Sequence, residues 1–136
     1  MAGFMLDTDT LIRLRRRQPP ALVERLAGLS RAEAIVSVVS YGELRVGAEK
    51  SDRRADTLAT LEAVLSLLTL APMPTSAAHD YGDIRAYLER RGQLIGPNDL
   101  WIAAHARSAG LTLITNNERE FRRVPGLSVE NWAATA

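Results

Sequence analysis

This chain predicts an open α/β fold, a mostly parallel sheet of four to five short strands flanked by about seven helices, and three observations lead there. Short apolar runs at residues 4–7, 34–39 and 111–115 alternate with stretches whose leucines recur every three or four residues. The run at 34–39 is β-branched and too short for a helix of its own, as expected of a strand covered on both faces. Finally, Asp7, Glu43, Asp99 and Glu120 each stand where an apolar run or a loop gives way to a helix start. In a parallel sheet the carboxyl ends of the strands share one edge, where ligand sites gather.

The elements follow in order. Residues 4–7 read as a first strand, and residues 9–17 as a helix stopped by Pro19-Pro20. The same prolines open a second helix with Leu22, Leu26 and Leu29 on one side. After the strand at 34–39, residues 41–49 form a helix, and Ser51 caps a longer one carrying Leu58, Leu61, Leu65 and Leu68. A short strand is expected at 67–71, punctuated by Pro72 and Pro74. Thr75 or Ser76 then starts a helix carrying Ala77, Tyr81, Ile84 and Leu88, with Gly92 as its stop. Asn98 caps the next helix, which ends near Gly110; residues 111–115 form another strand. A short helix after Thr115, a turn at Pro125-Gly126 and a last strand at 127–129 complete the pattern. With no repeat or linker in its 136 residues, the chain reads as one domain over residues 1–136.

Composition narrows the function. At 46% hydrophobic and 24% charged the chain is an ordinary globular one, and no apolar stretch approaches a bilayer span. Asp7 arrives too early for a signal peptide, so cytoplasmic residence is expected. The lack of cysteine excludes disulfides, thiolate metal sites and a Cys nucleophile. Net charge is only +1, yet Lys50 is the single lysine and every other basic residue is arginine. Arginine grips phosphate through a planar fork and stacks on bases, although a biased genome accounts for the usage equally well. If the acids gather in one pocket, the remaining surface is positive and suits a polyanion.

Each acid also has a structural reading. Asp9 can cap the first helix. Ser40-x-x-Glu43 fits a capping box. Asp99 sits in a first helical turn, where the macrodipole favours negative charge, and Glu118 and Glu120 can do the same for the short helix. Asp7 resists such a reading, because an unpaired carboxylate ending a buried strand is costly. Several carboxylates at close range need a compensating cation, and a hard divalent metal bound through oxygen supplies one. His79 and His105 offer a metal-free acid–base alternative, though His105 lies on an Ala-rich helix that suits packing better. Arg13, Arg16 and Arg17 can share a helix face beside Asp7 as an RNA-binding edge, or simply be solvated. Trp101 and Trp132 read as core residues.

Together these residues resemble the PIN-domain ribonucleases, specifically the VapC-type toxins of bacterial toxin–antitoxin modules. Met5-Leu6-Asp7-Thr8-Asp9-Thr10-Leu11-Ile12 resembles the family's opening strand and first acid, and Ser40-Tyr41-Gly42-Glu43-Leu44 its second acid motif. Ile95-Gly96-Pro97-Asn98-Asp99-Leu100-Trp101-Ile102-Ala103-Ala104-His105-Ala106 is the most specific match, and Leu113-Ile114-Thr115-Asn116-Asn117-Glu118-Arg119-Glu120-Phe121 closes the pattern. The resemblance implies a PIN-like three-layer fold and a Mg²⁺- or Mn²⁺-dependent endoribonuclease that inhibits translation. Asp7 and Asp99 would be metal ligands, with Glu43 and Glu120 completing a catalytic acidic cluster. Thr8, Asp9, Asn98, Thr115, Asn117 and Glu118 would support it. Asp9 stands where the family often has Asn, and Asp is common in the family at the positions of Asn117 or Glu118. The fourth acid is therefore assigned to Glu120 with those two as alternatives. The resemblance further implies RNA cut by metal-activated water, leaving a 5′-phosphate and a 3′-hydroxyl, with the transfer-RNA anticodon loop as a substrate of some relatives. It implies a two-fold dimer and a VapB-type antitoxin whose C-terminal segment blocks the site, and no membrane association.

Two other classes compete. Asp7-Thr8-Asp9 also opens like a haloacid-dehalogenase-type phosphatase, with Asp7 as nucleophile. That family usually has Thr or Val where Leu11 stands, and Lys50 is the sole candidate for its phosphate-binding lysine. A non-catalytic RNA- or partner-binding module gives no reason for four separated acids.

Overall fold

The computed structural model describes residues 3–133. The first strand, β1 (Phe4–Leu6), leads into α1 (Thr8–Arg15) and then α2 (Pro20–Ala27). A 3-10 turn (Arg31–Glu33) precedes β2 (Ala34–Ser37), followed by α3 (Val38–Glu49), α4 (Arg54–Leu65) and β3 (Thr69–Ala71). The chain continues through α5 (Ser76–Arg90), α6 (Pro97–Ser108), β4 (Thr112–Ile114), α7 (Glu118–Phe121) and β5 (Val129–Glu130). The five strands stand in the order β3-β2-β1-β4-β5 and every neighbouring pair is parallel. The expectation of a mostly parallel, three-layer α/β fold is met by a sheet with no antiparallel pair among the described residues.

Alternation along the strands builds the layers, because successive side chains leave opposite faces. Met5 and Leu113 pack with Ile84, Leu88, Ile102 and Phe121 on one side. Leu6, Val36 and Ile114 pack with Leu11, Leu22, Leu61, Leu68 and Trp132 on the other. Register pairs Met5 with Ile35 and with Leu113, so β1 is the central strand and its carboxyl end lies mid-edge. Asp7 is the next residue. The topology thereby delivers Asp7, Ser37 and Thr115 to one rim.

Several boundaries move from their sequence positions, each through a cap. The second strand stops at Ser37, whose hydroxyl accepts from Val39 N at 3.2 Å, and Val38 and Val39 enter α3. Valine's reluctance to be helical is only a few tenths of a kcal/mol, roughly what one N-cap bond recovers. Ser40 is consequently an interior, buried residue, and the capping box expected of Ser40 and Glu43 does not form. A capping box does form at Ser30 and Glu33, which sequence reading passed over. Arg53 rather than Ser51 precedes α4, while the Ser51 hydroxyl accepts from Arg53 N at 3.1 Å. Leu68 is buried but lies beyond the helix that its spacing suggested. Gly96 caps α6 with Pro97 at its first position, so Asn98 is not the cap. The last strand falls at Val129–Glu130, slightly later than expected. Gly92 does end α5, with a φ of 63° that most side chains avoid, and Gln93 N closes back onto Leu88 O at 2.9 Å.

Candidate active site

Asp7 caps α1 directly from the end of β1. One carboxylate oxygen, Oδ1, accepts from Thr10 N at 2.9 Å, and Oδ2 accepts from the Thr115 hydroxyl at 2.5 Å. Thr115 Oγ1 in turn accepts from Asn117 N at 2.9 Å, and Thr10 Oγ1 donates to Ile114 O at 3.0 Å. Asp7 is only 4% exposed. Burial pushes its carboxyl above the usual aspartate range, while the bonds from Thr115 and Thr10 oppose that shift. Asp9 therefore does not cap the helix; it is exposed, pairs with Arg13 at 3.0 Å, and adds a minor like-charge push on Asp7.

Glu43 enters from the second turn of α3. The Thr8 hydroxyl donates a short hydrogen bond to Oε1, and Asn98 Nδ2 donates to Oε2 at 3.3 Å. Asp99, in the first turn of α6, is half-buried, and its carboxyl is pushed up to about 6. Burial is the main cause; the charges of Glu43, Asp7 and Glu120 follow in that order. Three acids from separate segments thus act on Asp99 at the sheet edge. In α7, Glu120 reaches Asp99 electrostatically, whereas Glu118 is engaged by Arg122 at 2.8 Å and by Asn131 Nδ2 at 3.2 Å. Asn117 is the residue before α7 and contributes its backbone N–H to Thr115.

The donor set available to a metal is all oxygen, the kind that Mg²⁺ and Mn²⁺ take. Among the described residues no three Asp, Glu or His side chains converge tightly enough to enclose an ion as they stand. Instead, Asp7 and Glu43 are held by hydroxyls and amides, while Asp99 and Glu120 have neither a hydrogen-bond donor nor a cation partner among the described residues. A half-buried carboxyl pushed up to about 6 by burial and then by three like charges is a group that a divalent cation relieves, so the residues fit such an ion.

The other candidates separate clearly. His105 is 2% exposed, shares a 3.0 Å hydrogen bond with Ser37 Oγ, and is held below the ordinary histidine range by burial. It cannot meet a phosphate, while His79 is exposed at the start of α5. Lys50 is exposed at the end of α3. Trp132 is core, 4% exposed against Phe4, whereas Trp101 is half-buried and stacks on Tyr81 at 3.8 Å. Arg13, Arg16 and Arg17 do not form one helical face. The first is tied to Asp9, and α1 ends at Arg15, so Arg16 is its C-cap and Arg17 lies beyond with a φ of 57°.

Sequence reading overlooked Arg15. It lies with Thr8 and Ile12 on one face of α1, and these three line a groove of about 630 Å³ between α1, α3 and α4. Glu43, Leu44 and Gly47 form the α3 wall; Arg53, Asp56, Thr57 and Thr60 form the α4 wall. The spacing i, i+4, i+7 of Thr8, Ile12 and Arg15 was the available signal.

A model of the PIN domain matches residues 4–127. Ribonuclease VapC2 of Haemophilus influenzae is 44% identical over 133 residues, 97% of this chain and 99% of the relative. The tRNA(fMet)-specific endonuclease VapC of Salmonella typhimurium is 42% identical over 132 residues, again 97% and 99%. Among solved structures, DNA-bound VapBC from Salmonella typhimurium superposes with a TM-score of 0.91 at 42% identity, covering 97% of this chain and 99% of that one. VapBC2 from Rickettsia felis, bound to a DNA fragment from its promoter, gives 0.87 at 31% identity with the same coverage.

Proposed function

This chain belongs to the PIN-domain family and, within it, to the VapC ribonucleases, and from that premise we propose that it is a Mg²⁺- or Mn²⁺-dependent endoribonuclease, the toxin of a toxin–antitoxin pair. The observation that carries the metal-dependent part is the carboxyl of Asp99, raised by burial and by the charges of Glu43, Asp7 and Glu120 at the carboxyl edge of a parallel sheet. Asp7 and Asp99 would hold the cation, with Glu43 and Glu120 around it. A bound ion there would lower the pKa of a water, neutralise charge developing on the phosphoryl oxygens and orient the reacting groups.

The chain's own residues supply position. Thr115 and Thr10 N fix both oxygens of Asp7, so that carboxylate is presented in one orientation. Thr8 and Asn98 do the same for Glu43 from two different helices. With the acids concentrated at this edge, the arginine-rich remainder attracts the RNA backbone. A transfer RNA is the proposed substrate class, as named for the Salmonella typhimurium relative. Two outcomes test the assignment: purified protein should cut RNA internally in Mg²⁺, leaving 5′-phosphates, and excess EDTA should stop it. Cleavage that persists in EDTA would overturn the metal reading.

The phosphatase reading loses its support. Lys50, its sole candidate phosphate-binding lysine, is exposed at the end of α3, and the relatives that match 97% of the chain are ribonucleases. VapBC complexes among the structural relatives support a VapB-type antitoxin as partner. An arginine of its C-terminal segment fits the acidic edge, since a guanidinium satisfies two carboxylate oxygens at once. Inhibition should then weaken as Mg²⁺ rises. A two-fold homodimer is part of the same reading. Cytoplasmic residence accords with the described residues, in which no helix is long and apolar enough to cross a membrane.

A further inference from the structure

The groove between α1, α3 and α4 opens on the acidic edge. Thr8 and Glu43, hydrogen-bonded to one another, form its inner end. From Thr8, the α1 wall runs seven residues to Arg15, about 10 Å along a helix. Arg15 is half-buried there, and its guanidinium makes no ion pair or hydrogen bond among the described residues. Its neighbours differ in this respect. Arg13, on the opposite side of α1, is spent on Asp9, and Arg53 at the outer rim lies 3.5 Å from Asp56. The remaining lining pairs a flat apolar wall, Ile12 and Leu44, with the hydroxyls of Ser51, Thr57 and Thr60. Gly47 faces open space, since a Cβ added there would meet nothing within 4 Å.

We propose that this groove is the subsite for a nucleotide flanking the scissile phosphate, with Arg15 binding that nucleotide's own phosphate and Ile12, Leu44 and Gly47 receiving its base. The inference rests on the endoribonuclease reading, and it names the arginine that positions single-stranded RNA. Its volume, about 630 Å³, is in the range of pockets that hold small ligands. One free cation, several hydroxyls and an apolar wall next to a phosphodiester site match a nucleotide's phosphate, ribose and base in turn. An acidic peptide would use the cation but leave the apolar wall of Ile12 and Leu44 unfilled. The hydroxyls are bonded within the protein, Ser51 with Thr57 and Thr60 with Asp56 O, and add only spare acceptor capacity. Arg15, unlike Arg16 and Arg17, lines the groove that Thr8 and Glu43 close at its inner end.

The test is binding of a labelled single-stranded oligoribonucleotide by fluorescence anisotropy, across a salt series, in an Asp99→Asn background in which cleavage is expected to be lost. Arg15→Ala should weaken binding about tenfold and reduce the slope of log Kd against log salt by about 0.7, the signature of one lost phosphate contact. Arg90→Ala, on the exposed face of α5, should leave both nearly unchanged. Gly47→Leu extends a side chain into the groove from a position with room for its Cβ and favours α3, so it should keep or raise Tm while weakening RNA binding about fivefold or more. Unchanged affinity in either Arg15→Ala or Gly47→Leu overturns the subsite, as does a loss no larger than that of Arg90→Ala. Loss of antitoxin binding with RNA binding intact would also overturn it, assigning the groove to a protein partner. Failure of the unmodified protein to cut any RNA in Mg²⁺ would instead defeat the endoribonuclease reading itself, a result independent of either variant.

Discussion

Asp7 and Asp99 are the same residue type at the same sheet edge, and the fold treats them in opposite ways. Asp7 is sealed, 4% exposed, with both oxygens held by Thr10 N and Thr115. Asp99 is half-buried with no donor of its own among the described residues, and its carboxyl is pushed up to about 6 by burial and by three neighbouring acids. One carboxylate is thus part of the structure, fixing where β1 ends and α1 begins. The other is a charge left under strain by its surroundings. The contrast separates anchoring from tuning, and it predicts that the two positions respond alike in activity and oppositely in stability.

The largest expected effect tests their likeness. Asp7→Asn and Asp99→Asn should each lower RNA cleavage by on the order of 100-fold or more, since even groups that merely support metal ligands are worth 10- to 100-fold. Asparagine preserves the acceptor for Thr10 N, so both variants should fold, as near-native circular dichroism would show. Full activity in either variant would remove that residue from the proposed site. The next effect tests their difference. In EDTA, Asp7→Ala should cost about 1–3 kcal/mol by urea unfolding, through loss of the cap and abandonment of the buried Thr115 hydroxyl. Asp99→Ala should be neutral or stabilising, because only repulsion is removed. Equal destabilisation by both would erase the distinction. Thr115→Val sharpens the same point from the other side. It preserves shape but strips one donor from Asp7, so a loss of about 1–2 kcal/mol is expected, with metal affinity reduced. Calorimetric Mg²⁺ titration of that variant measures the second effect, and an unchanged affinity would show that Thr115 does not orient Asp7.

The layered sheet was legible because periodicity is local: residues 4–6, 34–37 and 112–114 carry apolar runs whose alternating sides become the two cores. The carboxyl edge was legible for the same reason, since each acid of the four follows a strand or begins a helix within a few residues. Caps were less so. Ser37 and Ser40 both satisfy the rule for starting α3, and it is Ser37 that caps it. That choice decides the role of Glu43: freed from a capping box, it is met by Thr8 and Asn98, contacts 35 and 55 residues away that no local pattern encodes. The arginines repeat the lesson. Arg13, Arg16 and Arg17 read as one basic face, yet the helix ends at Arg15, and of the α1 arginines it is Arg15 that lines the groove beside Glu43.

The smallest effect isolates Asp99's tuning in solution. Its folded carboxyl lies near 6, above the ordinary 3.8, so the folded protein binds that proton more tightly than the unfolded chain does. Such a group contributes its full stability below pH 3.8 and loses it as pH rises through about 6. Metal-free protein should therefore lose stability between pH 5 and pH 7.5 through this residue. Because Asp99 is half exposed, solvent screening reduces the effect to on the order of 1 kcal/mol. Asp7 is raised as well and acts with the same sign, while Glu33, Glu49 and Glu118 are held low and act with the opposite one. Only the difference between the unmodified protein and Asp99→Asn is diagnostic for that reason. Urea unfolding in EDTA at the two pH values should show the unmodified protein falling further than the variant, and saturating Mg²⁺ should remove the gap by keeping Asp99 ionised. Parallel pH profiles in EDTA would mean that Asp99 titrates normally and that the four acids do not press on one another as their placement at the edge requires.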